Sequence, residues 1–152
     1  MIISEEELIA AAKSYWKERG FKKVKKRWTK TVGDFTFSFL IQGSIYDKEF
    51  YYVRPGVFFN VLQQKTTLYY GHIWKTIKIE KVEQILRNTE EFFEEWTDKT
   101  IIKKRVKDFI EWDKRNPLEK RRAGLVNYDE DPVPADLFLL NSDELTFLLN
   151  EW

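Results

Sequence analysis

FTFSFLIQ, residues 35–42, decides the fold, because its large apolar side chains recur at every second position. Successive side chains of an extended chain point to opposite faces, so this period predicts a β-strand with one strongly buried face. The side chains expected on that face are Phe35, Phe37, Phe39 and Ile41. Gly33-Asp34 before the strand and the charged stretch 47–49 after it mark turns. Connections this short predict antiparallel hairpins.

The flanking stretches extend this sheet. Residues 27–32 precede the central strand, and residues 50–54 follow it. Pro55-Gly56 interrupts the next apolar run, so residues 57–62 are expected to form an edge strand or to contain a bulge. Residues 68–74 have the composition of one further strand. The sequence therefore predicts an antiparallel sheet of about four to five strands.

Helical periodicity dominates on both sides of the sheet. Ser4 and Glu7 match a capping box, and the amphipathic helix predicted over residues 4–19 ends at Gly20. After Lys75 we expect a short helix ending near Asn88, a second capped by Thr89, and a third stopped by Asn116-Pro117.

The last stretch of the chain predicts one more helix. Asn141 or Ser142 is in position to cap it, and its apolar stripe consists of Leu145, Leu148, Leu149 and Trp152. The order helix, hairpin sheet, helices predicts the α+β class and a single domain over residues 1–152.

Charge is distributed unevenly along the chain. Residues 123–152 contain seven acidic residues and no Lys or Arg, whereas all 26 basic residues lie before them. Such asymmetry predicts a charged partner or a chain that folds back on itself. The site residues expected in this acidic segment are Asp129, Glu130, Asp131 and Asp136. They form either the surface that binds a basic partner protein or an internal cover for the basic stretch 103–122, and the sequence leaves both open.

Composition excludes several classes of protein. With 43% hydrophobic and 16% aromatic residues the chain is not disordered. The absence of cysteine excludes disulfides, thiol nucleophiles and cysteine-based metal sites. No stretch reaches the roughly 20 apolar residues of a membrane helix, and the acidic N-terminus does not resemble a secretory signal. We therefore expect a cytoplasmic protein without membrane association.

The sequence contains little that resembles catalytic equipment. His72 is the one histidine, and no recognisable partner motif surrounds it. A half-buried strand histidine is the favoured interpretation, with a hydrolase using His72 as general base as the alternative. Glu90, Glu91, Glu94 and Glu95 are better explained as a solvated helix face than as a cation site. No phosphate-binding loop or dinucleotide fingerprint is present, so we predict no enzyme activity, no cofactor and no metal.

Basic residues around an aromatic ring support an alternative function. Single-stranded nucleic acid is bound by cations that contact phosphates and by rings that stack on bases. The residues that fit this pattern are Lys22, Lys23, Lys25, Lys26, Arg27, Trp28 and Lys30. RNA or single-strand binding is therefore the second hypothesis.

Three segments carry a resemblance to a known family. They are YWKERGFKK (15–23), FSFLIQGS (37–44) and FYYVRPGVF (50–58). Together they resemble a bacterial family of small α+β domains catalogued as a domain of unknown function. The resemblance implies a fold, and some small bacterial domains of this kind act as immunity proteins beside secreted toxins. We therefore predict a non-enzymatic protein-binding domain, with neutralisation of a basic toxin as the leading specific role.

Overall fold

The computed structural model describes residues 3–43, 51–62, 67–69, 73–74, 79–135, 137–138 and 140–152. They divide into two compact units, residues 1–95 and residues 96–152. The first unit consists of a helix, a sheet and a second helix; the second unit is helical. The elements of the first unit are α1 Glu5–Glu18, β1 Lys22–Val24, β2 Arg27–Val32, β3 Phe35–Gly43, β4 Tyr51–Phe59, β5 Thr67–Tyr69, β6 Ile73–Trp74 and α2 Val82–Glu95.

Helix α1 is bounded by the two signals that the sequence contains. The Ser4 hydroxyl accepts a hydrogen bond from the Glu7 amide at 3.2 Å. At the other end Gly20 has a φ of +81°, and the Phe21 amide donates to the Trp16 carbonyl at 3.0 Å. This Schellman arrangement brings the Phe21 ring to 4.7 Å from Trp16. The predicted helix over residues 4–19 is confirmed.

The described strands form one antiparallel sheet in the order β1-β2-β3-β4-β5, and β6 also pairs with β4. In the β2–β3 register Trp28 lies opposite Phe39, and in the β3–β4 register Phe39 lies opposite Pro55. The alternate residues of β3 that the sequence placed on one face are all buried. We call this side of the sheet the core face and the opposite side the outer face.

Helices α1 and α2 cover the core face with aromatic side chains. Trp16 of α1 has its ring 5.3 Å from Phe39, and Phe93 of α2 stacks on Phe37 at 4.9 Å. Trp16 and Phe93 also meet each other at 5.7 Å. Offset and tilted aromatic contacts of this kind add to the hydrophobic stabilisation of the core.

Strand β4 corrects the prediction of a chain broken at Pro55-Gly56. It runs without interruption from Tyr51 to Phe59 and lies inside the sheet, so the stretch after Pro55 is not an edge strand. Among the described residues, β6 pairs with Tyr51 and Tyr52, and β5 pairs with residues 56–58. Pro55 falls in the interval between them. Pro55 cannot donate a backbone hydrogen bond to the ladder, and it lies opposite Phe39 of β3.

A further boundary, predicted at Thr89, is corrected, and the strand predicted over residues 68–74 is described only in part. Its described residues belong to β5 and β6, which pair with β4 in the same antiparallel register, and residues 70–72 lie outside the described residues. Helix α2 is continuous, so Thr89 lies in its interior and is not a cap. Its hydroxyl donates to the Ile85 carbonyl at 2.8 Å, which satisfies a buried polar group inside the helix.

The second unit contains α3 Lys99–Arg115, α4 Leu118–Arg122 and α5 Ser142–Asn150. Asn116 caps α3 before Pro117, as predicted, and Asp98 accepts the amide of Thr100 at its start. Asn141 forms a complete capping box with Glu144 at the start of α5. Leu145 and Leu148 are buried, and α5 packs against α3.

The α+β class is confirmed, with an N-terminal helix, an antiparallel sheet and C-terminal helices. The assignment of residues 1–152 to a single domain stays a prediction. Among the helices that the structure describes, none is long and apolar enough to cross a membrane.

Candidate partner-binding loop

Residues 124–131 follow α4 as an irregular segment, which we call the acidic loop. Gly124 begins it with a φ of +70°, a conformation that favours glycine. The amides of Gly124 and Leu125 donate to the carbonyls of Arg121 and Lys120, both at 3.1 Å. The loop therefore leaves α4 along a path fixed by the helix end.

Asp131 fixes the far end of the acidic loop to α3. Its carboxylate accepts from Arg115 Nε at 3.2 Å, from Arg115 Nη2 at 3.0 Å and from Asn116 Nδ2 at 2.8 Å. Its backbone carbonyl accepts from Trp112 Nε1 at 2.9 Å. Two-pronged contact between a guanidinium and a carboxylate restricts orientation as well as distance. Asp131 is thus a positioning residue for the loop.

These contacts alter the acidity of Asp131. The hydrogen bonds from Arg115, and then those from Asn116, hold the pKa of the Asp131 carboxyl below its usual value. The same pairing raises the pKa of Arg115. Asp131 is therefore ionised wherever an ordinary aspartate is ionised, and its anchor persists to lower pH.

The interior of the acidic loop is held by Asn127. Its side-chain oxygen accepts from the amides of Asp129 at 3.1 Å and Glu130 at 3.3 Å. Its carbonyl accepts from the Asp131 amide at 2.9 Å. An asparagine that bonds to amides two and three residues on is a typical turn-forming device. The loop is therefore shaped by its own hydrogen bonds.

The acidic loop presents apolar and acidic groups to solvent together. Leu125 is 69% exposed and Tyr128 is 51% exposed, and Asp129 and Glu130 are also exposed. The Tyr128 ring stacks on Trp112 at 6.3 Å, so one of its faces is supported by the fold. A supported tyrosine beside two carboxylates matches the composition of binding surfaces in which an aromatic anchor has a polar rim.

The acidic residues that the sequence analysis grouped as one site do not all have the same surroundings in the structure. Asp131 contacts the basic stretch of α3, as expected if the acidic segment covers the protein's own basic residues. Asp129 and Glu130 point away into solvent and enter the loop's network through their backbone amides. Asp136 lies outside the described residues. Arg121, at the end of the basic stretch, pairs with Asp113 at 3.0 Å and lies 5.1 Å from the Phe138 ring.

The basic stretch around Trp28 is divided between the two faces of the sheet. Trp28 is 1% exposed and lies on the core face beside Phe39. Its ring is therefore not available to stack on a base. Lys23 lies over that ring at 5.7 Å, and Lys30 donates to the Arg19 carbonyl at 2.8 Å.

The other members of this stretch have different surroundings. Lys26 pairs with Glu5, and Arg27 lies on the outer face with Nη1 3.5 Å from Ser38 Oγ. Lys22 and Lys25 are exposed.

The remaining catalytic candidates are placed as follows. His72 lies outside the described residues. Glu90 accepts from the Tyr15 hydroxyl at 3.1 Å and pairs with Arg19 Nε, which explains it as a link between α1 and α2. In the described part of the chain, no group of three or more acidic or histidine side chains is arranged to hold a metal ion.

No protein-family model, curated protein or solved structure matches this chain. The resemblance of residues 15–58 to a bacterial domain family stays a prediction.

Sequence reasoning missed the residues that build the acidic loop. Asn116 was identified only as part of a helix stop, and Trp112, Arg115, Leu125 and Tyr128 were not identified as site residues. The asparagine two residues before Asp129 is a turn signal that could have indicated an ordered loop.

Proposed function

We propose that this protein is a non-enzymatic binding protein whose acidic loop engages a basic surface of another protein. One observation carries the proposal: Asp131 is used internally, on Arg115 and Asn116, while Tyr128, Asp129 and Glu130 are exposed on the same short loop. An acidic segment serving as a solvated tail would need no such anchor.

Order in the free loop favours binding. Ordering a mobile surface side chain costs roughly 0.5–1.5 kcal/mol on association, and a loop already held by hydrogen bonds avoids part of that cost. Tyr128 supplies apolar area on a ring that Trp112 already supports. Asp129 and Glu130 supply the charge that accelerates encounter with a basic partner and selects against acidic ones.

The partner class follows from this charge. Lys and Arg side chains on the partner would meet Asp129 and Glu130 at the rim, and an apolar patch would meet Tyr128 and Leu125. The resemblance to small bacterial α+β domains adds the specific role we favour, an immunity protein that masks a basic toxin.

A comparative capture experiment tests the proposal. The full chain is immobilised as wild type, as Tyr128→Ala/Asp129→Asn/Glu130→Gln, and as the matched control Asp143→Asn/Glu151→Gln. The control removes two exposed acids at the two ends of α5. Proteins recovered from bacterial lysate are quantified, and the recovered protein is purified for rate measurements.

We expect a basic protein to be recovered by the wild type and the control, and at least tenfold less by the loop variant. Its association rate should fall with added salt and fall further in the loop variant. Equal recovery by all three proteins would contradict the proposal. Rates that do not respond to salt would remove the electrostatic part of it.

A further inference from the structure

The β1–β2 hairpin and the adjacent end of β3 form an open groove in the first unit. Its volume is about 730 Å³, and its lining includes Val24, Lys25, Arg27, Leu40 and Gln42. Val24 is 68% exposed. Apolar side chains, including Val24 and Leu40, and the basic residues 25–27 line the groove together.

Strand register places Arg27, which lines the groove, and Lys22, which lies outside its lining, on the outer face. Val24 pairs with Arg27 and Lys22 pairs with Thr29, so Lys22 and Arg27 are diagonal neighbours on one face. Diagonal neighbours in an antiparallel pair lie roughly 7–8 Å apart. Lys25 extends from the hairpin tip. Lys23 lies between Lys22 and Lys25 in sequence, but its side chain is on the core face, over the Trp28 ring.

The hairpin tip retains a lysine where the backbone favours another residue. The loop between Val24 and Arg27 has two residues, and Lys25, the first, has a φ of +57°. Among the described residues it is the one non-glycine with a positive φ. Glycine or asparagine is favoured at such a loop position because a side chain is strained there. Lys25 therefore strains the hairpin backbone, and it places a cation at the mouth of the groove.

We propose that this groove binds the phosphodiester backbone of single-stranded nucleic acid. Lys22, Lys25 and Arg27 contact successive phosphates, and the guanidinium of Arg27 can hold one phosphate in two places. Leu40 offers an apolar floor to a base, and the Gln42 amide offers both a donor and an acceptor to a base edge. An acidic polypeptide would use the cations but has no need of such an amide. This site lies in a different unit from the acidic loop and does not depend on the proposed function.

Binding of a fluorescein-labelled ten-nucleotide oligouridylate to the full chain tests the proposal. Anisotropy is measured between 25 and 200 mM salt. Three phosphate contacts predict a slope of log K against log salt of about −2, since each contact contributes roughly −0.7 on a single strand. Lys22→Gln and Arg27→Gln should each reduce the slope by about 0.7. Lys23→Gln, on the opposite face of the same strand, should leave it unchanged.

Lys25→Gly separates binding from stability. Relief of the positive φ should raise the melting temperature, while loss of the cation should weaken oligouridylate binding and reduce the slope by about 0.7. A merely structural role for Lys25 would not move the two quantities in opposite directions. Absence of binding at 25 mM salt, or an equal loss in the Lys22 and Lys23 variants, would overturn the proposal. A ten-residue polyglutamate that competes as well as unlabelled oligouridylate would overturn it in favour of an acidic polypeptide.

Discussion

At the scale of single residues, the acidic loop depends on the ionised form of Asp131. Arg115 and Asn116 stabilise that form and lower the pKa of the Asp131 carboxyl. A lowered pKa in the folded state gives a contribution that is present above the unfolded value near 3.8 and is lost as pH falls through the folded-state pKa. The loop should therefore stay anchored at neutral pH and loosen in acid.

Replacement of Asp131 by Asn tests this anchor. The amide keeps the shape of the side chain but loses the charge that holds Arg115. We expect the NMR signal of the Trp112 indole N–H, which donates to the Asp131 carbonyl at 2.9 Å, to shift at pH 7 toward the position that the wild type reaches only below pH 3.8. The variant should show no such acid titration. An indole signal that is identical in the two proteins across this range would show that the carboxylate does not anchor the loop.

Tyr15 gives a second prediction at the same scale. Its hydroxyl donates to Glu90 Oε1 at 3.1 Å, and burial, followed by the charge of Glu90, raises the pKa of the phenol. Tyr15→Phe should lower the free energy of unfolding at pH 7 by about 1 kcal/mol, the usual value of one hydrogen bond.

The pH dependence of Tyr15→Phe provides a further check by urea denaturation. A phenol with a raised folded-state pKa contributes stability below pH 10 that is lost as pH rises through that pKa. The difference between wild type and variant should therefore shrink above pH 10. A difference that grows in alkali would contradict the assignment.

At the scale of elements, the spacing of apolar residues predicted those features that depend on local backbone geometry. The alternation over residues 35–42 identified β3 because side-chain direction along a strand is a local property. The helix boundary placed at Thr89 was wrong, because threonine satisfies its hydroxyl equally well on a carbonyl inside a helix, as it does here on Ile85. The break at Pro55 was also wrong, because β4 continues through Pro55 in unbroken register with β3, and the pairing of two strands is not a local property of the sequence.

The cap of α5 is testable at this scale. The Asn141 side chain accepts from the Glu144 amide at 2.8 Å, and the Glu144 carboxylate accepts from the Asn141 amide at 3.0 Å. Asn141→Ala should lower the free energy of unfolding by about 1 kcal/mol. Ser142→Ala, the other position that the sequence offered as a cap, should change it by less than about 0.5 kcal/mol. Equal effects of the two changes in urea denaturation would contradict the capping box.

At the scale of the whole molecule, the fold was more accessible to sequence reasoning than the site. Element types follow from local periodicity, whereas the contact between Asp131 and Arg115 joins a loop to a helix sixteen residues away. The environment of Trp28 also depends on contacts that are remote in sequence. Its basic neighbours indicated a binding surface, but register opposite Phe39 places its ring on the core face. Charge asymmetry drew attention to residues 129–131, but it could not distinguish Asp131, which pairs with Arg115, from the exposed Asp129 and Glu130.

These separate roles give a prediction for the whole chain. Asp129→Asn/Glu130→Gln removes two exposed charges, and exposed positions of this kind rarely change stability by more than about 0.5 kcal/mol. We expect an unchanged melting temperature and slower association with the captured partner. A lowered melting temperature would assign these residues to the protein's own stability.

Site-specific photo-crosslinking tests the central claim most directly. The photoreactive p-benzoylphenylalanine replaces Tyr128 in the full chain, and in a control it replaces Ile101 of α3, which is 45% exposed in the same unit. Irradiation in bacterial cells is followed by mass spectrometry. We predict a crosslink from position 128 to one basic protein and none to that protein from position 101. No crosslink from position 128, or the same products from both positions, would contradict the assignment of the acidic loop as a partner-binding surface.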